Sequence, residues 1–390
     1  MTKPSVLFIN RVYPPSHGAT GRVLRDLARA FADEGWAVTV LTTGEKAGQE
    51  KDENVLVRRI KAPQNIKPGL GYLWIWFKFL WAGLRLARRD LVVTLTDPPM
   101  LLLAGKTIAK RKGSDHIHWC HDLYPDLFPA LNVKLPGWLF KMLKKKSRRA
   151  MKSCSRIIVI GRCMAKTITH SGIETARVSV VPNWPPPELY LEPAPHEGQK
   201  APESLKRNDN PKFRVLYAGN LGRAHPIRPI LDAADKLKNH PEIELAFVGD
   251  SPGHERLAGE RDRRGLTNIR FIPYQPILHL RETLEQADVH LVTMRDETAG
   301  LLVPCKFYSA LAVGRPVIYL GPEDTEIHRV LKDYGAGLWV KSGEGGALAQ
   351  AILKLREDGA LWAQLQEGAA RAGDVMTAQA AIASWVKRAA

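Results

Sequence analysis

The chain has 390 residues, of which 45% are hydrophobic and 25% charged, and its formal net charge is +17. This composition is ordinary for a globular protein with ample core, and the length predicts roughly two to three domains. The four cysteines show neither close pairs nor metal-ligand spacing, which argues against a disulfide scaffold or a zinc site and favours a reducing compartment.

Short apolar runs rich in β-branched residues alternate with helical patterns along the whole chain. The first, VLFIN, is too short for the apolar core of a signal peptide. Continuous hydrophobic strands between helices indicate parallel sheets covered on both faces. Two such series predict an α/β protein with two doubly wound, Rossmann-like domains. The predicted strands are 5–10, 37–43, 91–97, 116–122 and 156–161, then 213–220, 243–250, 269–274, 289–294 and 316–321.

A segment rich in proline and polar residues, 181–212, separates the two series. Such a composition indicates an extended connection between domains. We therefore predict an N-terminal domain over 1–184, a linker over 185–211 and a C-terminal domain over 212–373.

Glycines and polar residues follow several of the predicted strands. Glycine lets backbone N–H groups approach a phosphate at a helix start, and ligands bind at the carboxyl edge of parallel sheets. The spacing is not GxGxxG, so the dinucleotide-binding fingerprint is absent. Each glycine alone is mostly turn chemistry. The candidate anion-binding residues are Gly18 and Gly21, in a loop between the first predicted strand and the following helix, and Gly219, Asn220, Gly222, Arg223, Gly249 and Asp250 in the second half.

The positive charge is concentrated in residues 56–156, which contain 21 Lys or Arg against 5 Asp and no Glu. Such asymmetry bears on partners, which include nucleic acid, an anionic membrane surface or acidic substrates. Two stretches within it, 71–87 and 135–152, combine aromatic residues with cations. They suit a helix lying in a lipid interface, or else an ordinary surface helix. The candidate membrane or acceptor residues are Trp74, Trp76, Trp81, Trp138, Lys141, Lys144, Lys145 and Arg148.

The segment HIHWCHD at 116–122 contains three histidines. His116 and His118 share one face of the strand, whereas His121 falls in the turn that ends it. No cysteine or carboxylate cluster completes a ligand set, so we predict no metal. Asp122 and Asp126 are candidates for function or for capping a helix.

The order of PPSHGATG, YAGNLG, FVGD and VPCKFYSALAVGRPVI resembles that of the family-4 glycosyltransferases, which have the GT-B fold. The resemblance covers essentially the whole chain and is strongest to the bacterial branch acting on O-antigen, colanic acid and related surface polysaccharides. The last motif is the most specific. Usual members have Pro-Ser-Lys where this chain has Pro304, Cys305 and Lys306.

The resemblance implies a retaining transfer without a metal or other cofactor. The donor would be a nucleotide-diphosphate sugar, UDP rather than GDP, bound by the C-terminal domain. The acceptor, a saccharide on polyprenyl diphosphate, would bind the N-terminal domain. Catalysis would occur in a cleft between the domains, with a final helix at about 374–390 crossing back to the first domain. We accordingly expect a peripheral protein on the inner face of the plasma membrane, with no nucleic-acid partner.

Without a metal, the leaving diphosphate needs fixed positive charge from the protein. We assign this role to Lys306, against the alternative of a lysine that merely reaches for water. The resemblance also implies that His121 touches the donor sugar, with Asp122 as a further catalytic candidate. Donor contacts are expected from Leu301, Leu302, Val303 and Ser309.

The chain departs from the family pattern at two places. Asn220 and His225 stand where many members have Arg and Lys, and Leu301 and Ser309 stand where the family has two glutamates. The second glutamate usually holds the ribose, so that contact must differ here. Two other functions are open at this point, a nucleotide-sugar epimerase of the same fold and a basic module that binds nucleic acid or a membrane.

Overall fold

The computed structural model describes residues 3–16, 18–63, 69–190 and 212–389. Most of the predicted linker, 191–211, lies outside these residues. The chain divides into two compact units. Unit 1 consists of Met1–Pro182, Gly300–Val303 and Ala381–Ala390, and unit 2 of Asn183–Ala299 and Pro304–Ala380.

In the described residues before the linker, unit 1 has eight strands and six α-helices. The strands are β1 (Ser5–Ile9), β2 (Ala37–Gly44), β3 (Gly48–Asp52), β4 (Val55–Lys61), β5 (Leu91–Thr94), β6 (Asp115–Cys120), β7 (Arg156–Val159) and β8 (Val178–Val180). The helices are α1 (Ala19–Asp33), α2 (Leu70–Arg85), α3 (Leu101–Lys112), α4 (Leu127–Ala130), α5 (Gly137–Met151) and α6 (Arg162–His170).

These strands form one sheet in the order β3-β4-β2-β1-β5-β6-β7-β8. All neighbours run parallel except β3 and β4. The order reverses between β1 and β5, and ligands bind such sheets at the reversal. The sequence did not predict β3, β4 or β8. Strand β3 is polar and largely exposed, so it lacks the apolar signal on which the prediction depended.

Unit 2 has a six-stranded parallel sheet in the order β11-β10-β9-β12-β13-β14, formed by β9 (Phe213–Ala218), β10 (Ile243–Val248), β11 (Ile269–Ile272), β12 (Val289–Thr293), β13 (Val317–Gly321) and β14 (Gly337–Lys341). Its helices are α7 (Arg228–Lys236), α8 (Pro252–Arg264), α9 (Leu280–Glu285), α10 (Lys306–Ala312), α11 (Glu326–Tyr334), α12 (Gly345–Glu357) and α13 (Gly359–Val375). The order reverses between β9 and β12. The predicted class, two doubly wound α/β domains, is therefore confirmed.

The last helix, α14 (Ala378–Ala389), completes the core of unit 1. Its Trp385 is fully buried. The indole lies against Phe31 and Trp119, with ring centroids 5.7 and 5.4 Å away, and Phe8 is 6.4 Å away. Aromatic residues from β1, α1 and β6 thus enclose a side chain that is distant in sequence.

We predict that Trp385→Ala lowers the free energy of unfolding of unit 1 by about 3–5 kcal/mol, because it leaves a large cavity among aromatic rings. Urea denaturation followed by circular dichroism measures this. Trp138→Ala is the control, since Trp138 is 70% exposed and its loss should change stability by less than about 0.5 kcal/mol. Equal effects of the two substitutions would contradict the packing described.

Candidate functional site

Lys306 begins helix α10, two residues after Pro304. Its ammonium lies 3.6 Å from the centre of the Tyr217 ring and donates to the Asn220 carbonyl oxygen at 3.3 Å. Within the described part of the chain Lys306 has no ion pair with a carboxylate. The residue is half-buried, and desolvation by the surrounding protein lowers the pKa of Lys306 to about 7. An anion is the natural missing partner for such a cation.

Two glycines keep the strand ends beside Lys306 open. Gly219 follows β9 with φ +107, and Gly249 follows β10 with φ +143, values that side-chain-bearing residues rarely adopt. A Cβ on Gly219 would lie 3.9 Å from the Lys306 side chain, and one on Gly249 would meet the His254 ring at 2.9 Å. Because β9 and β10 are parallel neighbours, these openings lie at one sheet edge.

Two histidines, His225 and His254, lie near Lys306 at this sheet edge. The Nδ1 of His225 is 2.7 Å from the Thr293 carbonyl oxygen, and burial, then the Lys306 charge, lowers the pKa of His225 to about 3. His254 is 5% exposed, with its Nδ1 2.8 Å from the Ser251 hydroxyl. Burial and Lys306 also lower the pKa of His254. Its buried Nε2 has no hydrogen-bond partner among the described residues. His254 lies in the first turn of α8, and sequence reasoning did not single it out.

The other predicted donor residues occupy several positions. Four of them are exposed residues of the loops that follow β9 and β10 in unit 2. Ser309 lies one helical turn beyond Lys306 on α10. Leu301, Leu302 and Val303, by contrast, group with unit 1. There the Leu301 carbonyl oxygen accepts a hydrogen bond from the Leu123 amide at 2.8 Å. The four loop residues are Asn220, Gly222, Arg223 and Asp250.

In unit 1 the predicted glycine loop is shorter than expected. Gly18 precedes helix α1, but Gly21 lies inside its first turn. A Cβ on Gly21 would meet the Val12 side chain and backbone at 2.8–2.9 Å. The prediction of Gly21 as a loop residue is therefore wrong. Gly21 allows α1 to approach the segment after β1, and this close approach requires glycine at that position.

His121 and Asp122 follow β6 directly. His121 is 4% exposed and lies against the Trp119 ring at 4.6 Å. Burial lowers the pKa of His121 to about 3, so the imidazole is neutral. The Asp122 carboxylate accepts one long hydrogen bond, from the Thr96 hydroxyl at 3.5 Å. Burial, and then the nearby Asp97 charge, raises the pKa of Asp122 to about 6.

The remaining two histidines of this segment belong to the core. His116 Nε2 and His118 Nδ1 both lie within 3.3 Å of the Thr94 hydroxyl, as expected for one strand face. Among the described residues no group of three or more His, Cys, Asp or Glu is placed to hold a metal. Asp126 stands at the start of α4 but makes no capping bond, and instead pairs with Lys144 at 2.5 Å.

Sequence reasoning missed four polar residues beside Asp122. Arg11 follows β1, and its Nε donates to Asp97 at 2.7 Å. Asp97 follows β5, so this ion pair spans the reversal in strand order. The Arg11 guanidinium also lies 5.7 Å from the ring of Tyr72, and Tyr124 is close to Asp122. Their separation in sequence concealed this cluster.

Helix α2 presents an apolar face to solvent. Its inner face packs on α3 through buried Ile75 and Phe79. Lys78 lies over the Trp74 ring at 3.6 Å and Arg85 over the Trp81 ring at 3.2 Å. The helix contains no acidic residue. Its exposed apolar residues, here called the α2 face, are Leu70 (84%), Leu73 (50%), Trp74 (47%), Phe77 (55%) and Trp81 (59%).

One of the predicted membrane residues, Trp76, differs from this pattern. Trp76 packs toward the core and donates its indole N–H to the Met100 carbonyl at 3.0 Å, so it does not belong to the α2 face. On α5, Ala150 and Met151 are buried, whereas Trp138 is 70% exposed. Lys141, Lys144, Lys145 and Arg148 are exposed. Over the described residues, no helix has the length and hydrophobicity needed to cross a bilayer.

Comparison with known proteins identifies similar sequences and folds. The model for "Glycosyltransferase Family 4" matches residues 20–188 and that for "Glycosyl transferases group 1" matches residues 199–372. The chain is 27% identical to "Probable glycosyltransferase WbjE" of Pseudomonas aeruginosa, over 70% of this chain and 68% of that one. It is 28% identical to "Putative colanic acid biosynthesis glycosyl transferase WcaI" of Escherichia coli, over 63% of this chain and 61% of WcaI.

Among solved structures, HepE of Anabaena in complex with UDP superposes with a TM-score of 0.72 at 17% identity, covering 98% of this chain and 99% of HepE. That likeness concerns the fold.

We predict that Asp122→Asn stabilises the protein above pH 6 by about 2 kcal/mol, because it removes a poorly solvated charge. The carboxyl has a pKa of about 6 in the folded protein and 3.8 in the unfolded chain, so the wild type loses stability as pH rises between these values. The advantage of the variant should vanish below pH 3.8. Urea denaturation across this range measures the difference, and an advantage independent of pH would contradict it.

Proposed function

The chain belongs to the family-4 glycosyltransferases and has their GT-B fold, and from this premise we propose that it transfers a sugar from a UDP-sugar to a lipid-linked saccharide. The transfer retains the configuration of the donor's anomeric carbon and requires no metal. The product belongs to a bacterial surface polysaccharide. The relation to WcaI, whose name refers to colanic acid biosynthesis, supports that assignment.

The observation that carries the donor proposal is the Lys306 ammonium, which has no carboxylate partner within the described residues and lies beside the glycine-opened ends of β9 and β10. A diphosphate placed there would receive a charge-assisted hydrogen bond from Lys306. The buried, unpartnered Nε2 of His254 would supply a second, neutral donor. The complex of HepE with UDP supports uridine as the base.

In the proposed reaction, the bond between the anomeric carbon and the diphosphate oxygen breaks as an acceptor hydroxyl approaches the same face of the sugar. The hydroxyl proton passes to the departing diphosphate oxygen. Negative charge grows on that oxygen as the bond breaks, so a fixed cation such as Lys306 stabilises the transition state more than the ground state. Such a cation would supply the role that a metal has in other transferases.

We predict that UDP raises the melting temperature of the wild type more than GDP, ADP or CMP do, and that Lys306→Ala removes this shift. Losing one hydrogen bond to a charged group should weaken UDP binding by about 10- to 100-fold. Lys341→Ala, which removes an exposed lysine of the same unit, should behave as wild type. Binding of UDP to Lys306→Ala with unchanged affinity would refute the assignment.

The same titration has a pH dependence. Unliganded Lys306 has a pKa of about 7, so above that pH it must take up a proton when the diphosphate binds. Affinity of the wild type for UDP should therefore fall as pH rises above 7. Lys306→Arg, whose guanidinium remains charged, should lose this dependence.

We further propose that unit 1 binds an anionic membrane surface through the α2 face, which places the protein on the inner face of the plasma membrane. Aromatic and aliphatic residues at 47–84% exposure, flanked by cations and free of acidic residues on the helix, have the composition of a helix that lies in a lipid interface. Each exposed cation of α5 would add attraction to anionic headgroups of ~1 kcal/mol, and Trp138 beside them would add apolar contact with the lipid.

We predict that the protein floats with vesicles of phosphatidylcholine and phosphatidylglycerol at low salt and much less with phosphatidylcholine alone. The triple variant Trp74→Ser, Phe77→Ser, Trp81→Ser should bind at least ~10-fold more weakly, because each side chain loses apolar burial. Leu278→Ser, a 57% exposed leucine of unit 2, is the control. Equal flotation of the triple variant and the wild type would exclude the α2 face.

A further inference from the structure

Five side chains meet at the reversal in strand order of unit 1. Arg11 follows β1, Asp97 follows β5 and Asp122 follows β6, while Tyr72 lies in the first turn of α2 and Tyr124 precedes α4. The Arg11 guanidinium lies 5.7 Å from the centre of the Tyr72 ring, and the Tyr124 amide donates to the Asp122 carbonyl oxygen at 3.2 Å. We refer to these five residues as the switch-point cluster.

Several polar atoms of the cluster have no hydrogen-bond partner among the described residues. Arg11 bonds one oxygen of Asp97, and the Thr96 hydroxyl makes a 3.5 Å contact with one oxygen of Asp122. Among the described residues, nothing else bonds either carboxylate. Neither the Tyr72 nor the Tyr124 hydroxyl has a hydrogen-bond partner there. All five residues are partly exposed, so these unpartnered oxygens are open to a ligand.

The chemistry of the cluster selects the ligand. Two carboxylates can accept hydrogen bonds from hydroxyl groups, and the two phenols can both donate and accept them. The aromatic rings add apolar surface with a polar tip. A phosphate or carboxylate ligand would be repelled by Asp97 and Asp122, since the one cation, Arg11, is already paired with Asp97. A neutral molecule with several hydroxyl groups fits these requirements.

We propose that the switch-point cluster binds the saccharide of the acceptor, with Asp97 and Asp122 accepting hydrogen bonds from sugar hydroxyls and Tyr72 and Tyr124 completing the site. Arg11 is a positioning residue that holds Asp97. This rests on the proposed glycosyltransferase function and extends it by naming where the acceptor sugar binds.

The arrangement of α2 supports this choice. Tyr72 belongs to the cluster, whereas Leu70, Leu73 and Trp74, on the same helical turns, belong to the α2 face. One helix therefore carries both an apolar surface and a hydroxyl directed to a polar cluster. A molecule with a lipid part and a saccharide part would find a counterpart for each within unit 1.

The test is saturation-transfer NMR with the methyl glycosides of glucose, galactose, N-acetylglucosamine, mannose, rhamnose and fucose. Wild type should transfer saturation to at least one glycoside. Tyr72→Phe and Tyr124→Phe should each weaken binding about fivefold, the factor for losing one neutral hydrogen bond, and Asp122→Asn about tenfold or more. Tyr190→Phe, at a 45% exposed tyrosine of unit 2, should match the wild type.

The thermal shift with UDP is measured on the same samples. It should be unchanged in all four variants, which also shows that each is folded. No transfer to any glycoside by the wild type, or transfer that the three cluster variants leave unchanged, overturns the saccharide site. Loss of the UDP shift in the wild type would instead overturn the donor proposal, so the two failures are distinguishable.

Discussion

The carboxyl ends of parallel strands lie at one edge of a sheet, and the functional features of both units depend on this constraint. In unit 2 it brings Gly219, Gly249 and Lys306 together from separate segments of the chain. In unit 1 it does the same for Arg11 and Asp97. Each edge also meets the reversal in strand order, where flanking helices diverge and backbone and side-chain groups are left open to a ligand.

The two edges differ in electrostatic character. At the edge of unit 2 a cation lies over an aromatic ring without a carboxylate partner in the described residues, and two nearby histidines are held neutral. At the edge of unit 1 one of two neighbouring carboxylates, Asp97, pairs with Arg11, and burial keeps the other, Asp122, from ionising readily. Fixed positive charge suits a diphosphate, whereas surplus hydrogen-bond acceptors suit hydroxyl groups. The two sheet edges thus differ in the kind of ligand that their charges favour.

The sequence predicted ten of the fourteen strands in the described residues, the two doubly wound sheets and the position of Lys306 at a helix start, because these depend on local apolar runs and on single distinctive residues. It failed where long-range packing decides. Trp76 and Trp81 differ only in which side of α2 they occupy, and aromatic density cannot reveal that. Gly21 lies in a helix rather than a loop because Val12 approaches it. The cluster of Arg11, Asp97, Tyr72 and Tyr124 is assembled entirely by topology, so no spacing in the sequence marks it.

The burial of Trp385 against Phe31 and Trp119 has a consequence for the order in which the protein is made. Residues up to Pro182 emerge from the ribosome first, yet their aromatic core remains incomplete until α14 has been synthesised. Unit 2, encoded almost entirely in between, can close its own core earlier. During translation unit 1 therefore begins to appear before unit 2 but is completed after it, and its incomplete aromatic core exposes apolar surface of the kind that promotes aggregation.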